Sequence, residues 1–424
     1  MLPRDAATAA TTPCTWHICV GHTSRHAGLY RGIRDFAKAL PGGVLSFDDA
    51  FDRALAAKAE TSVQRIACQG NWLARRCHVI LRQAASEAAQ AVSAADLLVV
   101  HSLFRAHCQW ASGWAETHKK PYWIVPHGCL DPAGMRRRSI VKRLWQWRYG
   151  AKFLAHADAI ICATHREREK VAPWVSGSRA PDGNRSRVHV VPWPVEVPSL
   201  AGRDAARIAF RERLGIPQDA SVLLSVGRLH STKRPLETIA AFCAADAPRC
   251  HLVLIGMDED LTRNHVVRAI PDGCRSRVHV VGPLYGASLS EAWLAGDGYI
   301  SLSRKENFGY SAAEALSYGL PVILSPGHDL AYELPNTGAG GLACGWLLPD
   351  DSMRSAVEAI TAFATSCDGS DFGSVRQFPN NAVGRGWVAD HLQFDRFRER
   401  LISLADYSVA RRRARFPKSA PPQE

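Results

Sequence analysis

The chain has 424 residues, of which 46% are hydrophobic and 22% charged, and this globular composition excludes a mostly disordered, collagen-like or coiled-coil protein. At roughly 150 residues per domain, the length predicts two or three domains. Lysine and arginine outnumber aspartate and glutamate by 52 to 40, a formal charge of +12, which favours an anionic ligand such as a phosphate, a nucleic acid or an acidic lipid.

Short apolar runs alternate with helix-like stretches along most of the chain, a pattern typical of parallel sheets with crossover helices. The predicted strands of a first domain, 14–197, are 16–20, 97–100, 122–125, 159–162 and 188–191. Those of a second domain, 198–385, are 222–226, 251–255, 278–281, 299–302 and 321–324. We therefore predict two α/β domains joined at a proline-rich segment. A C-terminal helix, 386–406, is expected to pack back toward the first domain, and 407–424 to form a disordered basic tail.

Cysteine spacing and hydropathy exclude several other classes of protein. The twelve cysteines contain no C-x-x-C pair, which predicts free thiols and neither a zinc site nor a disulfide framework. No uncharged apolar stretch reaches about 18 residues, and residues 1–13 lack the pattern of a signal peptide. We therefore expect a cytoplasmic protein without a membrane span.

A basic segment, 135–157, interleaves arginine and lysine with Trp145 and Trp147. It fits two interpretations: an ordinary domain helix with a solvated basic face, or a helix lying on an anionic membrane. The next helix begins with a capping box formed by Thr164 and Glu167, which we interpret as structural.

The first candidate site follows the predicted strand 222–226. Gly227 is expected to let the chain turn at the carboxyl end of that strand, where open α/β sheets bind ligands. Pro235 fits the first turn of the next helix. Arg228 and Lys233 would then flank a helix N-terminus and form an anion site suited to a diphosphate. The alternative is a pair of solvated surface cations.

The second candidate site follows the predicted strand 299–302. It consists of Glu306-Asn307-Phe308-Gly309 and, after a predicted helix start near Gly309, Glu314. Two carboxylates placed in this way can accept hydrogen bonds from vicinal hydroxyls of a sugar or ribose. The alternative is a helix-start acid beside an unrelated loop acid.

Together these motifs resemble the nucleotide-sugar site of retaining GT-B glycosyltransferases, the large bacterial group that includes cell-envelope and exopolysaccharide enzymes (family 4-like, "glycosyl transferases group 1"). The resemblance rests on Gly227-Arg228-Leu229 with Lys233, on the E-x7-E spacing of Glu306 and Glu314, and on the segments 315–323 and 345–349. In the first half, 122–132 resembles the group's "PHGMLDP" segment, and Ser24-Arg25-His26-Ala27-Gly28 resembles its glycine loop.

The resemblance implies a GT-B fold, with two Rossmann-like domains that face each other across a cleft. It also implies a metal-independent hexosyltransferase that uses a nucleotide sugar as co-substrate, no cofactor, and a glycan or lipid-linked acceptor, at the inner face of the cytoplasmic membrane. Carried over by position, the catalytic residues are Lys233, Arg228, Glu306 and His127. Those that bind substrate are Glu314, Asn307, Phe308, Gly309, Gly227 and Gly28.

His127 and His101 each follow a predicted strand, where a histidine is more often structural than catalytic. The resemblance alone favours His127. Two other functions remain as alternatives, a catalytically inactive GT-B scaffold and a nucleic-acid binder. The intact set of cations and carboxylates argues against the first, and the absence of any usual nucleic-acid reading motif argues against the second.

Overall fold

The structure is a computed structural model that describes residues 12–23, 27–48, 63–67, 82–132, 139–175, 187–336, 342–368 and 381–417. The chain divides into two compact units, 1–193 with 394–424, and 194–393. The first division falls four residues before the predicted boundary at 197/198.

Each unit is built on one sheet. The strands of the first unit are β1 (Thr15–Val20), β2 (Gly42–Asp48), β3 (Val63–Ala67), β4 (Leu97–His101), β5 (Tyr122–Val125), β6 (Ala159–Cys162) and β7 (Val188–Val190), in the order β3-β2-β1-β4-β5-β6-β7. Those of the second are β8 (Ser221–Val226), β9 (Cys250–Ile255), β10 (Val278–Val281), β11 (Gly298–Ser301), β12 (Val322–Leu324) and β13 (Gly345–Leu347), in the order β10-β9-β8-β11-β12-β13. All pairs between these strands are parallel.

Helices connect the strands. In chain order they are α1 (Ala27–Ala39), α2 (Arg82–Ala91), α3 (Ala106–Thr117), α4 (Ser139–Trp145), α5 (Ala151–His156), α6 (His165–Val175), α7 (Arg203–Leu214), α8 (Pro235–Ala244), α9 (Arg263–Arg268), α10 (Gly286–Ala295), α11 (Tyr310–Ser317), α12 (Met353–Asp368), α13 (Asn381–His391) and α14 (Phe394–Arg415). A π-helical turn, Gln146–Gly150, joins α4 to α5. Among the residues described, no helix is both long and apolar enough to cross a bilayer.

The predicted alternation of strands and helices is confirmed, and the ten predicted strands agree with observed ones to within a residue at either end. Strands β2, β3 and β13 were missed. β2 and β13 each begin at a glycine whose Cβ would lie about 2 Å from a backbone oxygen of the neighbouring strand, at Gly42 1.8 Å from Thr15 O and at Gly345 2.0 Å from Val322 O. Glycine therefore permits close pairing at positions where the sequence pattern indicates a turn.

The C-terminal region differs from the prediction. The single helix expected at 386–406 is two helices, α13 in the second unit and α14 in the first. The tail expected from residue 407 is helical as far as Arg415. Contacts with the first unit explain why this region is helical. Phe397 contacts Phe36 of α1 edge to face with ring centroids 5.1 Å apart, and Trp123 Nε1 of β5 donates to Ser408 Oγ at 3.0 Å.

Three aspartates stand directly before strands and hold the neighbouring strand at the amino edge of its sheet. Asp96 accepts from the backbone N–H of Cys14 at 3.3 Å, Asp158 from Tyr122 at 3.1 Å, and Asp297 from Val222 at 2.8 Å. Asp297 also binds the side chains of Arg207 and the fully buried Arg211, at 2.5 and 2.7 Å. The amino edge of each sheet is thus fastened by carboxylates, which leaves the carboxyl edge for loops with other roles.

Candidate functional site

The loop after β8 is held by the loop after β9. Leu229 N donates to the carbonyl of Met257 at 2.8 Å, and Ser231 N donates to Asp260 Oδ1 at 2.9 Å. A tight turn, in which Lys233 N donates to the carbonyl of His230 at 2.8 Å, leads directly to Pro235, the first residue of α8. The predicted placement of Pro235 is therefore confirmed, and the turn fixes the backbone from which the Lys233 side chain projects.

The glycine expected to make the turn has another role. Gly227 is not among the described residues with positive φ, and a Cβ there would lie 3.9 Å from Cδ and Cε of Lys233, an ordinary contact. The prediction that Gly227 is needed for a tight turn was therefore wrong. Gly227 instead lies beside the aliphatic part of the Lys233 side chain. The constrained glycine is Gly256, whose Cβ would lie 1.8 Å from the Gly227 carbonyl oxygen. Gly256 lets the two loops approach, a role that the sequence alone did not reveal.

Lys233 and Glu306, which are 73 residues apart in the chain, form an ion pair. Lys233 Nζ donates to Glu306 Oε2, and about a quarter and a fifth of the two side chains, respectively, are exposed. The Glu306 backbone is fixed by the loop after β12, since its N–H donates to the Gly327 carbonyl at 2.8 Å and its carbonyl accepts from Asp329 N at 2.9 Å. The structure thus unites the two predicted constellations in one cluster.

The surroundings of Lys233 weaken its hold on the proton. Burial lowers the pKa of the ammonium to about 8, the charge of Arg228 adds to this shift, and Glu259 opposes it. The contact with Glu306 also favours the charged form, because opposite charges stabilise each other. At neutral pH the group is cationic, but its charge is lost one to two pH units above neutrality.

Arg228 also contacts a carboxylate. Its Nη1 lies 2.5 and 2.6 Å from the two carboxylate oxygens of Glu259 in the loop after β9. Glu259 was not predicted to belong to the site. The acidic run 258–260 at the carboxyl end of a predicted strand was the signal that could have identified it. Both cations of the candidate anion site therefore have carboxylate partners that an incoming anion could replace.

Helix α11 begins where it was predicted to begin. Gly309 is its N-cap at φ 78°, and a Cβ there would lie 3.2 Å from both Glu306 Cγ and His328 Nδ1, so glycine is required on two counts. Phe308 is buried and stacks edge to face on Tyr310. Both side-chain polar atoms of Asn307 are buried without a hydrogen-bond partner, an arrangement that a polar ligand could satisfy.

Glu314 is the fifth residue of α11 and is half-buried. Burial raises the pKa of Tyr299 in β11, and the charge of the nearby Glu314 adds to that rise. Glu306 lies in the loop before α11 and Glu314 lies in the early turns of that helix, as the sequence predicted.

His328 is a residue of this site that the sequence analysis missed. Its Nε2 lies 2.8 Å from Ser301 Oγ at the end of β11, while its Nδ1 is buried without a partner. Burial lowers the pKa of His328 to about 3, and the nearby Lys233 charge adds to this shift. The imidazole is therefore neutral. It follows a proline-glycine turn, where no sequence signal distinguished it from a loop residue.

In the first unit, His127 stands in a constrained turn directly after β5. Its φ is 50° and that of Gly128 is 71°, so two successive residues are left-handed, a conformation that costs a non-glycine residue about 1 kcal/mol or more. The buried carboxylate of Glu167 holds this turn, accepting from Gly128 N at 2.8 Å and from Ala163 N at 2.7 Å.

The capping box predicted at this helix start is present in part. Glu167 N donates to Thr164 Oγ1 at 3.0 Å. The Glu167 side chain also positions the His127 turn, through the N–H of Gly128. A residue interpreted as purely structural thus supports a candidate catalytic one.

Gly28, the remaining predicted site residue, is the second residue of α1, and a Cβ there would meet no atom within 4 Å. It is therefore not a loop glycine of close backbone approach. Ser24, Arg25 and His26 lie outside the described residues.

Among the residues described, no group of three His, Cys, Asp or Glu side chains is arranged to hold a metal ion. The cysteines there are free thiols, and most are buried.

Known proteins are similar to the second unit in sequence and to nearly the whole chain in fold. Residues 206–368 match the family described as Glycosyl transferases group 1. A D-inositol 3-phosphate glycosyltransferase of Xylanimonas cellulosilytica is 31% identical over 223 residues, which are 49% of this chain and 52% of that one. A GDP-mannose:cellobiosyl-diphosphopolyprenol alpha-mannosyltransferase of Xanthomonas oryzae pv. oryzae is 26% identical over 61% of this chain and 62% of that one. The chain spans about half to three fifths of the length of these curated relatives.

Solved structures match nearly the full length. HepE of Anabaena, in complex with UDP and glucose, has a TM-score of 0.69 at 16% identity and covers 92% of this chain and 99% of that one. Sucrose-phosphate synthase of Thermosynechococcus elongatus has a TM-score of 0.66 at 18% identity, over 94% and 100%. At these identities the likeness shows the fold, two Rossmann-like units of the GT-B type. The predicted resemblance is confirmed: residues 206–368 match the glycosyl transferases group 1 family, and the fold is of the GT-B type.

Proposed function

We propose that the protein is a retaining glycosyltransferase that moves a hexosyl group from a nucleotide sugar to a hydroxyl of a glycan or lipid-linked acceptor. The observation that carries this proposal is the cluster of Lys233, Glu306 and Arg228 at the carboxyl edge of a parallel sheet, within a domain of a glycosyltransferase family. Two cations and a carboxylate at such an edge suit a ligand that joins a diphosphate to a sugar.

In this proposal the donor replaces internal partners of the site. The diphosphate takes the place of Glu306 beside Lys233 and of Glu259 beside Arg228, and Glu306 is released to bind the hydroxyls of the transferred sugar. Glu314 binds the ribose hydroxyls. We propose that the backbone N–H groups of Phe308 and Gly309 bind the same ligand, because the N-terminus of a helix favours negative charge.

The reaction breaks the bond between the anomeric carbon and the β-phosphate oxygen, and the electron pair leaves with the diphosphate. The acceptor oxygen bonds to the same face of the oxocarbenium-like carbon, and its proton passes to the departing phosphate oxygen. Arg228 and Lys233 stabilise the leaving group most strongly as its charge develops. We propose that these two cations supply the charge that a divalent metal supplies in other transferases.

His127 lies in the first unit, and we propose that it binds the sugar or acceptor there. Its constrained turn supports this role, because residues held in sparsely populated backbone conformations cluster at functional sites.

A lipid-linked acceptor and a place in cell-envelope polysaccharide synthesis are further parts of the proposal. The name of the Xanthomonas relative gives a diphosphopolyprenol acceptor for that enzyme. In the present chain, Ile140 and Trp147 are the two most exposed large hydrophobic residues among those described, at 80% and 77%, and the nearby Leu144 is 60% exposed.

These three residues fall at i, i+4 and i+7, the spacing of one helical face. Trp145 of the same segment contacts Phe104 and Phe153 edge to face and anchors the segment to the unit. The side chains of Arg143 and Arg148 are exposed beside the apolar face. Apolar groups flanked by cations fit the headgroup boundary of an anionic membrane, so we propose that this face touches the inner leaflet.

Replacing Lys233 tests the leaving-group role. We expect Lys233→Ala to cut turnover at saturating donor by on the order of 100-fold or more, because the interaction strengthens in the transition state. Lys233→Arg should lose less, because the charge remains. Arg249→Ala removes a similar cation–carboxylate pair, with Asp219, and should leave turnover unchanged. Turnover of each variant is measured in buffer that contains EDTA, and a melting curve checks that each variant folds. A folded Lys233→Ala enzyme with wild-type turnover would contradict the assignment.

The lowered pKa of Lys233 predicts how nucleotide affinity depends on pH. Binding a diphosphate requires the ammonium, and the free protein loses that proton as the pH rises through about 8. Affinity for UDP or GDP should therefore fall about tenfold per pH unit above pH 8, with proton uptake on binding. Lys233→Arg should remove the fall, because arginine stays charged. Calorimetric titrations from pH 7 to 9.5 measure both, and a flat wild-type profile would contradict the prediction.

Replacing Glu314 tests the ribose contact. A charge-assisted hydrogen bond contributes about 1.5 to 3 kcal/mol, so Glu314→Ala should weaken binding of the preferred nucleotide, UDP or GDP, by roughly 10-fold to 150-fold. Glu291→Ala serves as the control, since this glutamate lies in α10 and pairs with Arg213. Equal affinities of wild type and Glu314→Ala would remove the ribose role.

Vesicle binding tests the membrane face. The full chain should sediment with vesicles that contain phosphatidylglycerol, less with pure phosphatidylcholine, and less at high salt. A combined Ile140→Ser, Leu144→Ser and Trp147→Ser variant should lose this binding. Ile208→Ser, which changes an isoleucine that is 50% exposed on α7, should retain it. Wild-type protein that stays in the supernatant, or a triple variant that binds equally well, would show that this face has another role.

A further inference from the structure

Arg234 adopts a backbone conformation that neither its residue type nor its neighbour favours. It lies directly before α8 with φ 59° and ψ 47°, in the left-handed region. This region is sterically unfavourable for a residue with a side chain, and a following proline, here Pro235, favours an extended conformation instead. Glycine would adopt the same conformation without that strain. The arginine side chain must therefore supply interactions that compensate for it.

The guanidinium group of Arg234 makes such interactions with residues near two helix starts. Its Nη1 lies 3.4 Å from Asp351 Oδ1, and its Nη2 donates to the Asp351 backbone carbonyl at 3.3 Å, two residues before α12. Its Nε donates to Glu237 Oε1 in the first turn of α8 at 3.4 Å. Only 12% of the Arg234 side chain is exposed. We call the two contacts with Asp351 the Asp351 anchor, which ties the turn before α8 to the start of α12.

This anchor acts on the residue next to Lys233 in the candidate diphosphate site. On the other side of Lys233, the Thr232 carbonyl accepts from Arg304 N of the loop after β11 at 2.9 Å. The Arg234 carbonyl accepts from the backbone N–H and the hydroxyl of Thr238, both at 2.9 Å. Lys233 therefore lies between two fixed residues, and loss of the Asp351 anchor would release one of them.

The contact between Lys233 and Glu306 depends on such fixing because it joins two separate loops. Lys233 Nζ donates to Glu306 Oε2, and the other titratable groups that act on the ammonium or lie near it are Arg228, Glu259 and the neutral His328. A lysine carries its charge on a flexible four-carbon stem, so a shift of its backbone lets the ammonium move toward solvent. Misplacing a catalytic group by about 1 Å can cost on the order of 100-fold in rate.

We propose that Arg234 is a positioning residue whose Asp351 anchor holds the strained turn, so that the Lys233 ammonium stays beside Glu306. The catalytic consequence rests on the proposed function, in which Lys233 stabilises the leaving diphosphate, whereas the anchor itself does not. Arg234 has no contact with the donor in this proposal. Glycine at this position would supply the turn without the anchor, so the two contributions can be separated.

Carbon-13 NMR of the full-length protein, labelled at lysine Cε, measures the titration of Lys233, whose signal is identified by its loss in Lys233→Arg. Arg234→Gly should fold, because glycine tolerates the left-handed turn, but it loses the anchor. The present surroundings together lower the pKa of Lys233 to about 8, so an ammonium freed from them should titrate about half a pH unit higher or more. Asp351→Asn weakens the same anchor from its other end and should also raise the pKa.

A simple charge effect predicts a different pattern. Removing the cation at Arg234 would raise the pKa of Lys233, whereas removing the carboxylate of Asp351 would lower it. A rise in both variants therefore supports positioning, and any other pattern in folded variants would overturn the proposal.

Two control variants match these changes elsewhere in the chain. Asp219→Asn alters a carboxylate that pairs with Arg249 and, like that of Asp351, is more than half exposed. Lys119→Gly relieves another left-handed residue, at φ 54° in the first unit. Both variants should leave the titration of Lys233 unchanged.

Turnover provides the second measurement. Arg234→Gly should lower kcat by about 10-fold or more, with little change in KM for the donor, because Lys233 acts most strongly in the transition state. Arg234→Lys keeps a cation beside Asp351 and should recover part of the loss. Wild-type turnover in Arg234→Gly would also overturn the proposal. If wild type itself transfers no sugar, the proposed function fails, while the NMR titration still decides whether Arg234 positions Lys233.

Discussion

The parallel pairing of the described strands is the constraint on which both units depend. Strands that run in one direction bring all their following loops to one edge of the sheet. In the second unit this edge gathers Lys233 after β8, Glu259 after β9 and Glu306 after β11, although these residues are far apart in the chain. In the first unit the same constraint lines up His101 and His127 on adjacent strands.

Particular acids at the amino edge and particular glycines at the carboxyl edge serve different purposes. At the amino edge, Asp96, Asp158 and Asp297 fasten neighbouring strands by accepting backbone N–H groups. At the carboxyl edge, Gly256 and Gly327 stand where a Cβ would lie 1.8 and 2.3 Å from a backbone oxygen, so that loops of adjacent strands can touch. The contacts that fix the strand register thus lie at the amino edge, and the loops of the candidate site lie at the carboxyl edge. Loop sequences at the carboxyl edge can therefore change without disturbing the register.

The second unit's site keeps its cations partnered. A lysine or arginine held at a half-buried edge without a counter-charge would be costly, and contacts with Glu306 and Glu259 reduce that cost. For Lys233 the balance is narrow, since burial lowers its pKa to about 8, and a diphosphate, with more negative charge than one carboxylate, would restore the ordinary stability of the ammonium.

The sequence by itself determined the two α/β units, the positions of ten of the thirteen described strands, the start of α8 at Pro235 and of α11 after Gly309, and the residue types of the candidate anion site. Periodicity and helix-start chemistry are local and can be recognised in one segment. Only the tertiary structure decided that Lys233 contacts Glu306, that Arg234 contacts Asp351, and that the C-terminal helix is divided between two units. These contacts join distant segments, and their geometry depends on which strands are neighbours in the sheet. The sequence of a single segment does not specify its neighbours.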